Sequence, residues 1–388
     1  MKIVYCTNTL GLCGGVERVT ILKANALAEI EGNEVWIVFT DTFSYPQTIE
    51  PISPKVKIVD LKVGNWDDQY KTRWERFIVP KKKFVRQLCR MQRFVNEIHP
   101  DILISVGQCE KFILPLLHHT RILIREIHFN STYRYFTAFD TRRSGWKIKL
   151  FNFIDYKIVC RMLYNRTYLL TKQDKEENFP TQDYMHYMNN PSSFPVNYEQ
   201  NNSGLRAKTV ISVGRLNHQK DYPSMIRAWS SIAIKYPDWK LRIIGEGPDR
   251  MNIEKMIDEL GLQQSVELAG MSLQVDMELR NASIYAMTSK FEGFALVLVE
   301  AMACRLPIVT FDFIYGARDI VSDGEDGFLV CNRNEEEFAQ RLEQLIVNES
   351  LRTTMAQVAE KNAERFSVLR IAHKWQAEFS KLIENKDK

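Results

Sequence analysis

Short runs of apolar, β-branched residues alternate along this chain with longer stretches whose apolar residues recur every three or four positions. Such switching between period two and period 3.6 is the pattern of strand–helix units that build a mainly parallel sheet. Residues 3–6, 35–40, 102–106 and 122–125 read as early strands, and Val16, Val19, Ala26, Leu27 and Ile30 predict a first helix. The alternation lapses near Asn189 into Asn190-Pro191-Ser192-Ser193-Phe194-Pro195 and a polar stretch to Lys208, the composition of a linker. It then restarts. A strand is predicted at 209–213, a helix at about 223–235, a strand at 241–244 and a helix at about 250–260. Strands at 266–268, 284–288 and 307–311 follow, and the C-terminal stretch reads as helical. The pattern predicts an α/β chain of two Rossmann-like domains facing across a cleft: residues 1–190, a linker at 191–208, and a second domain at 209–368. The closing segment 369–388 is expected to pack back toward the first domain.

Length agrees with two domains, since 388 residues exceed what one core commonly holds. A hydrophobic content of 45% with 26% charged residues is that of an ordinary water-soluble globular protein. Seven cysteines (Cys6, Cys13, Cys89, Cys109, Cys160, Cys304 and Cys331) are scattered, odd in number and never spaced C-x-x-C. That argues against a disulfide framework or a zinc site and for a reducing, cytoplasmic compartment. The start reads as a strand rather than a secretory leader. The most apolar interior stretch, 112–124, is interrupted by His118, His119 and Arg121, and no segment reaches the ~18 apolar residues of a membrane span. Charge is unevenly placed. Residues 1–190 hold 28 Lys and Arg against 20 Asp and Glu, while the remainder is net acidic.

Four segments carry candidate chemistry. Gly11-Leu12-Cys13-Gly14-Gly15-Val16-Glu17-Arg18 lies between the first strand and the first helix, where glycines let backbone amides approach an anion at a helix N-terminus. A structural tight turn is an equal reading of that segment. Val213-Gly214-Arg215-Leu216-Asn217-His218-Gln219-Lys220 ends a strand and sets two cations five residues apart. Arg215 offers a fork and Lys220 a point charge, suited to a diphosphate, although such pairs are commonly solvated surface charges. Gly245-Glu246-Gly247-Pro248 turns at the same sheet edge, and there the structural reading is the stronger. The fourth segment runs from Ser289 through Glu292-Gly293-Phe294-Ala295-Leu296 to Glu300 and Ala303. The amides of Phe294, Ala295 and Leu296 would point at an anion from a helix start. Glu300 stands in an apolar stretch, where a carboxylate needs a partner such as ribose hydroxyls. Glu292 would reach the transferred group.

Taken in order, these segments resemble the retaining glycosyltransferases of family 4, which have the GT-B fold. The resemblance covers nearly the whole chain and includes Asn190-Pro191 and Asp323-Gly324-Glu325-Asp326-Gly327. It implies that Arg215 and Lys220 hold the donor diphosphate, that Glu300 binds the ribose and Glu292 the sugar, and that the Gly14-Gly15 loop closes over the donor. It also implies an active-site role for His128, which on its own reads as a structural histidine after a strand. One departure is Arg305 in Arg305-Leu306-Pro307, where the family usually has the glycine that ends a helix in a left-handed conformation.

The resemblance implies a reaction that keeps the anomeric configuration without a protein nucleophile, through positioning and electrostatics. No Asp-x-Asp motif is present, and Asp67-Asp68 lacks its context, so no metal and no cofactor are expected. The donor is expected to be a nucleotide sugar, UDP-linked hexose or N-acetylhexosamine by family frequency, and the acceptor a glycan or lipid-linked glycan of surface polysaccharide assembly. Nine Lys and Arg against one Glu in residues 71–93, with Phe84, Leu88, Met91 and Val95 on one helical face, suggest a peripheral contact with an anionic membrane. A core-facing stripe with a solvated back is the equal alternative. Arg142-Arg143-Ser144-Gly145-Trp146-Lys147-Ile148-Lys149 adds a second basic cluster. A nucleotide-sugar epimerase of the same fold and a non-catalytic nucleotide-sugar-binding relative are the rival readings. The acidic second half and the lack of any nucleic-acid module argue against a nucleic-acid partner.

Overall fold

The structure is a computed structural model describing residues 1–10, 14–40, 50–64, 75–106, 110–118, 122–132, 145–196 and 206–387. Gly11, Leu12, Cys13, Asp67, Asp68, Lys71, Arg73, Trp74, Cys109, Arg142 and Arg143 lie outside the described residues. The chain divides into two compact units. One comprises 1–170, 175–191 and 368–388, and the other 171–174 and 192–367.

The first unit is built on seven parallel strands: β1 (Lys2–Thr7), β2 (Glu34–Phe39), β3 (Val56–Asp60), β4 (Ile102–Ser105), β5 (Ile122–Glu126), β6 (Arg166–Leu169) and β7 (Met185–Tyr187). Their order is β3-β2-β1-β4-β5-β6-β7, with β1 paired to β2 from Lys2↔Glu34 to Thr7↔Phe39. Because side chains alternate across a strand, Ile3 and Tyr5 enter one core while Val4 and Cys6 enter the other. Central strands covered on both faces therefore read as unbroken apolar runs, which is why β1, β2, β4 and β5 are visible in the sequence. The first core holds Ile21 and Leu27 of helix Gly15–Glu29 together with Ile371, Trp375 and Phe379 of helix Val368–Asp387. The closing helix thus belongs to the first unit. Trp375 is fully buried edge-on to Tyr168, at 4.7 Å between ring centres.

Helix Glu75–Ile98 lies across the other face, with Met91, Phe94 and Val95 in the core. The expected stripe is corrected at one end, since Phe84 is exposed and Phe94 takes a core position. Lys83 donates to the Gly64 carbonyl, Arg86 to Val63 and Arg90 to Leu61 and Lys62. Three cations of the basic run therefore satisfy backbone carbonyls just past β3 rather than forming a free basic face.

The second unit carries six parallel strands: β8 (Thr209–Val213), β9 (Lys240–Ile244), β10 (Val266–Gly270), β11 (Ile284–Met287), β12 (Ile308–Phe311) and β13 (Gly327–Val330). Their order is β10-β9-β8-β11-β12-β13. Val210, Leu241, Ile243, Ile284 and Val309 form its core with Trp229 of helix Tyr222–Lys235 and Phe338 of helix Glu335–Val347. In each unit the strand order reverses beside the first strand. The loops leaving β1 and β4 flank that point in the first sheet, and those leaving β8 and β11 flank it in the second. Open parallel sheets bind ligands at such switch points.

Candidate functional site

The second unit's switch point gathers most of the charged candidates. Gly214 to Asp221 leaves β8, and Thr288 to Ala295 leaves β11 and enters helix Leu296–Ala303. Hydrogen bonds tie the two loops together. The Lys290 amide donates to the Gln219 carbonyl at 2.8 Å, and Thr288 Oγ1 to the carbonyls of Lys220 and Asp221 at 3.1 and 2.9 Å. Within that frame Lys220 Nζ lies 2.8 Å from Glu292 Oε1, with both side chains largely buried. Gln219 Nε2 donates to Glu292 Oε2 at 3.1 Å and to the Phe291 carbonyl at 2.9 Å. A carboxylate with its charge paired and its position held can accept hydroxyl donors without the full cost of burial.

Arg215 is not drawn into this cluster. Its side chain is exposed and makes no ion pair among the described residues. Glu300 is buried in helix Leu296–Ala303 and accepts a hydrogen bond from Ser193 Oγ. Phe294 and Ala295 are buried at the helix start, with Phe294 edge-on to Phe366 at 5.6 Å. The Leu296 amide donates to the Phe294 carbonyl at 2.8 Å. That corrects the expectation of three open amides, because this one is used inside the loop.

Gly245-Glu246-Gly247 packs onto the backbone of the Arg215 loop. Gly245 has φ 144°, and a Cβ on it would stand 2.0 Å from the Gly214 carbonyl oxygen. A Cβ on Gly247 would stand 2.2 Å from the Leu216 carbonyl oxygen. The Gly214 and Leu216 amides donate to the carbonyls of Ile244 and Glu246 at 2.9 and 3.0 Å. The motif is a backbone dock that sets the height of the Arg215 loop.

Arg305 adopts the left-handed conformation at φ 59°. The Arg305 amide donates to the Met302 carbonyl at 2.9 Å and that of Leu306 to Ala301 at 3.0 Å, the double closure of a Schellman motif. Arg305 Nε also pairs with Glu360 Oε2. The usual glycine is replaced without changing the turn.

In the first unit, His128 falls just beyond β5 in a buried charged group. Lys23 pairs with Glu126, and His128 Nε2 lies 3.2 Å from Glu126 Oε2. Burial alone would raise the Glu126 carboxyl, but Lys23 and His128 outweigh it and hold it at about 2. Burial pushes the His128 imidazole below its ordinary value, with Glu126 opposing. The same cause lowers Lys23, whose ammonium lies 5.5 Å from the ring centres of both Tyr5 and Trp375. A cavity of about 190 Å³ opens beside His128, lined also by Thr7, Asn8, Glu17, Arg125 and Glu126. Gly14 is the N-cap of helix Gly15–Glu29 at the same end of the sheet, with no side-chain cap.

Several residues here carry no signal in a local sequence pattern. Asp221, at φ 50°, pairs with Arg333, which also donates to the Ser289 and Thr288 carbonyls at 3.0 and 3.1 Å. Ser193 reads only as linker, and Lys23 and Glu126 read as ordinary helix and strand-end charges. The described residues contain no group of three or more His, Cys, Asp or Glu arranged to hold a metal ion.

Residues 194–362 match the family described as Glycosyl transferases group 1. An uncharacterized glycosyltransferase of Haemophilus influenzae is 29% identical over 96% of this chain and 98% of its own length. The N-acetylgalactosamine-N,N'-diacetylbacillosaminyl-diphospho-undecaprenol 4-alpha-N-acetylgalactosaminyltransferase of Campylobacter jejuni is 34% identical over 43% of this chain and 45% of its own length. Among solved structures, Staphylococcus aureus TarM, in complex with Fondaparinux, alpha-GlcNAc-glycerol and UDP, superposes with a TM-score of 0.75 at 16% identity. That likeness covers 97% of this chain and 99% of TarM and speaks for the fold. The second unit is thus similar to the Glycosyl transferases group 1 family, the chain over nearly its full length is similar to a glycosyltransferase, and its fold is the GT-B arrangement of two Rossmann-like domains that TarM also has.

Proposed function

We propose that this chain is a retaining, metal-independent glycosyltransferase of family 4. It moves a hexose or N-acetylhexosamine from a UDP-linked donor to a glycan or lipid-linked glycan during surface polysaccharide assembly in the cytoplasm. The observation that carries the reading is the Lys220–Glu292–Gln219 cluster at the second unit's switch point, with Arg215 exposed on the same loop. Arg215 and Lys220 receive the diphosphate and offset the charge that builds on it as the bond to the sugar breaks. Glu292 accepts sugar hydroxyls, and Glu300 the ribose hydroxyls, exchanging its bond from Ser193. The glycosidic carbon loses its bond to the phosphate oxygen and gains one to the acceptor oxygen on the same face. The acceptor's proton passes to the departing phosphate. Two cations do the electrostatic work that a metal does elsewhere, and His128 acts near the reacting centre. The lipid-linked acceptor is supported by the name of the Campylobacter relative, and the UDP donor by the TarM complex.

The test is thermal unfolding against UDP-, GDP- and ADP-sugars, with Arg215→Ala/Lys220→Ala as control. A donor at 100 times its Kd adds about 2.7 kcal/mol to the folded state, a shift of several degrees. A shift with UDP-sugars alone, absent in the double variant, is the expected result. No shift with any donor, or an equal shift in the variant, would overturn the assignment of the donor site.

A further inference from the structure

We propose that the outward face of residues 145–163 docks on the interfacial region of an anionic lipid bilayer. The segment is a helix at Gly145–Asn152, a π-helical stretch at Phe153–Val159 and a final turn at Cys160–Leu163. Its inward side is fixed. Ile148, Tyr156, Val159 and Cys160 are buried, and Asp155 pairs with Arg125 at 2.6 Å and with Lys111 at 3.2 Å. Its outward side is apolar to a degree that a protein surface in water does not tolerate without a use. Trp146 is 63% exposed, Phe151 65%, Phe153 56% and Met162 74%.

Charge selects the occupant. Lys147, Lys149, Lys157 and Arg161 stand among those apolar residues, all exposed, and the segment's one carboxylate, Asp155, faces inward. Aromatic and aliphatic side chains interleaved with cations, with no outward acid, match a leaflet whose headgroups are negative and whose upper acyl region is apolar. A second copy of this chain is the poorer occupant, because a two-fold contact through one patch would set these cations against themselves. No helix among the described residues is long and apolar enough to cross a membrane, so the contact is one of lying on the surface. The role of this face, bringing the enzyme to a lipid-linked acceptor, rests on the function proposed above, whereas the binding itself does not.

The experiment is flotation of the full chain with phosphatidylcholine vesicles, with and without phosphatidylglycerol, in the absence of donor and acceptor. The wild type should float with the anionic vesicles and not with the neutral ones. Trp146→Ala/Phe151→Ala/Phe153→Ala and, separately, Lys147→Glu/Lys149→Glu should each weaken that binding by about tenfold or more. Both variants should keep the wild-type Tm and the donor-induced Tm shift, which separates failure of the docking face from failure of the transferase reading. Wild-type chain that ignores anionic vesicles or binds neutral ones equally would overturn the proposal. So would variants of unchanged Tm that bind like the wild type, or light scattering that shows a dimer dissolved by the triple substitution.

Discussion

Lys220 Nζ sits 2.8 Å from Glu292 Oε1, joining the loop that leaves β8 to the loop that leaves β11 across the switch point of the second sheet. Each charge is largely buried and each is the other's main compensation, so removing one strands its partner in a poorly solvated site. Lys220→Ala is expected to destabilise the chain by about 2 kcal/mol, Glu292→Ala by a similar amount, and the double variant by clearly less than their sum. Urea unfolding of the four proteins measures the coupling; strict additivity would mean that the pair contributes nothing to the site.

Glycine at 245 and 247 is required by close backbone approach. Gly245→Ala would place a Cβ 2.0 Å from the Gly214 carbonyl oxygen at a φ of 144°, so the Arg215 loop must retreat. A loss of about 3 kcal/mol or more follows from the clash and the strained backbone together. The donor-induced Tm shift should fall as well, although residue 245 itself offers no group to the ligand. Gly261→Ala is the control: its φ is also positive, at 67°, but nothing lies within 4 Å, so it should lose stability and keep the full donor shift.

The central strands are legible because burial on both faces forces continuous apolar runs, and the predicted run at 209–213 coincides with β8. The strands without such a signal are β3, β6, β7 and β13, three of which are sheet edges. An edge strand has one neighbour and tolerates polar residues, as in Val56-Lys57-Ile58-Val59-Asp60 or Met185-His186-Tyr187. The candidate site divides in the same way. Lys220, Glu292 and Glu300 stand in contiguous motifs, so the order of residues along the chain is enough to single them out. Chain order does not pick out the partners that hold them. Ser193 reaches Glu300, and Arg333 reaches Asp221, across 107 and 112 residues of chain that the fold brings together. Lys23, Glu126 and His128 are each unremarkable in sequence and become a buried group only when Lys23 of helix Gly15–Glu29 reaches Glu126 at the end of β5.

That buried group makes stability depend on pH in a stated direction. Glu126 is held near 2 against an ordinary 4.5, so its stabilising contribution is complete above about 4.5 and is lost as pH falls toward 2. His128 has a folded value below 6.5, so the unfolded chain takes up a proton first and stability declines as pH falls below about 6.5. Glu126→Gln should flatten the lower limb, and His128→Asn the upper one, in Tm measured from pH 7 to pH 3. A wild-type acid limb that neither substitution alters would show that the group titrates alike in the folded and unfolded chain.

Arg305 tests whether a departure from the usual glycine is strain or adaptation. Its backbone at φ 59° costs about 1 kcal/mol for a residue with a Cβ, while its guanidinium recovers part of that by pairing with Glu360. Arg305→Gly removes both terms, so its stability should stay within about 1 kcal/mol of the wild type. Arg305→Ala removes the ion pair and keeps the strain, and should be the less stable of the two by about 1 kcal/mol. Neither substitution should change the donor-induced Tm shift, because the turn closes the far end of the helix whose first residues face the site. Chemical denaturation of the three proteins gives the order. If Ala proves as stable as Gly, the left-handed turn must have opened, and the Schellman closure through Leu306 would not be what holds this helix end.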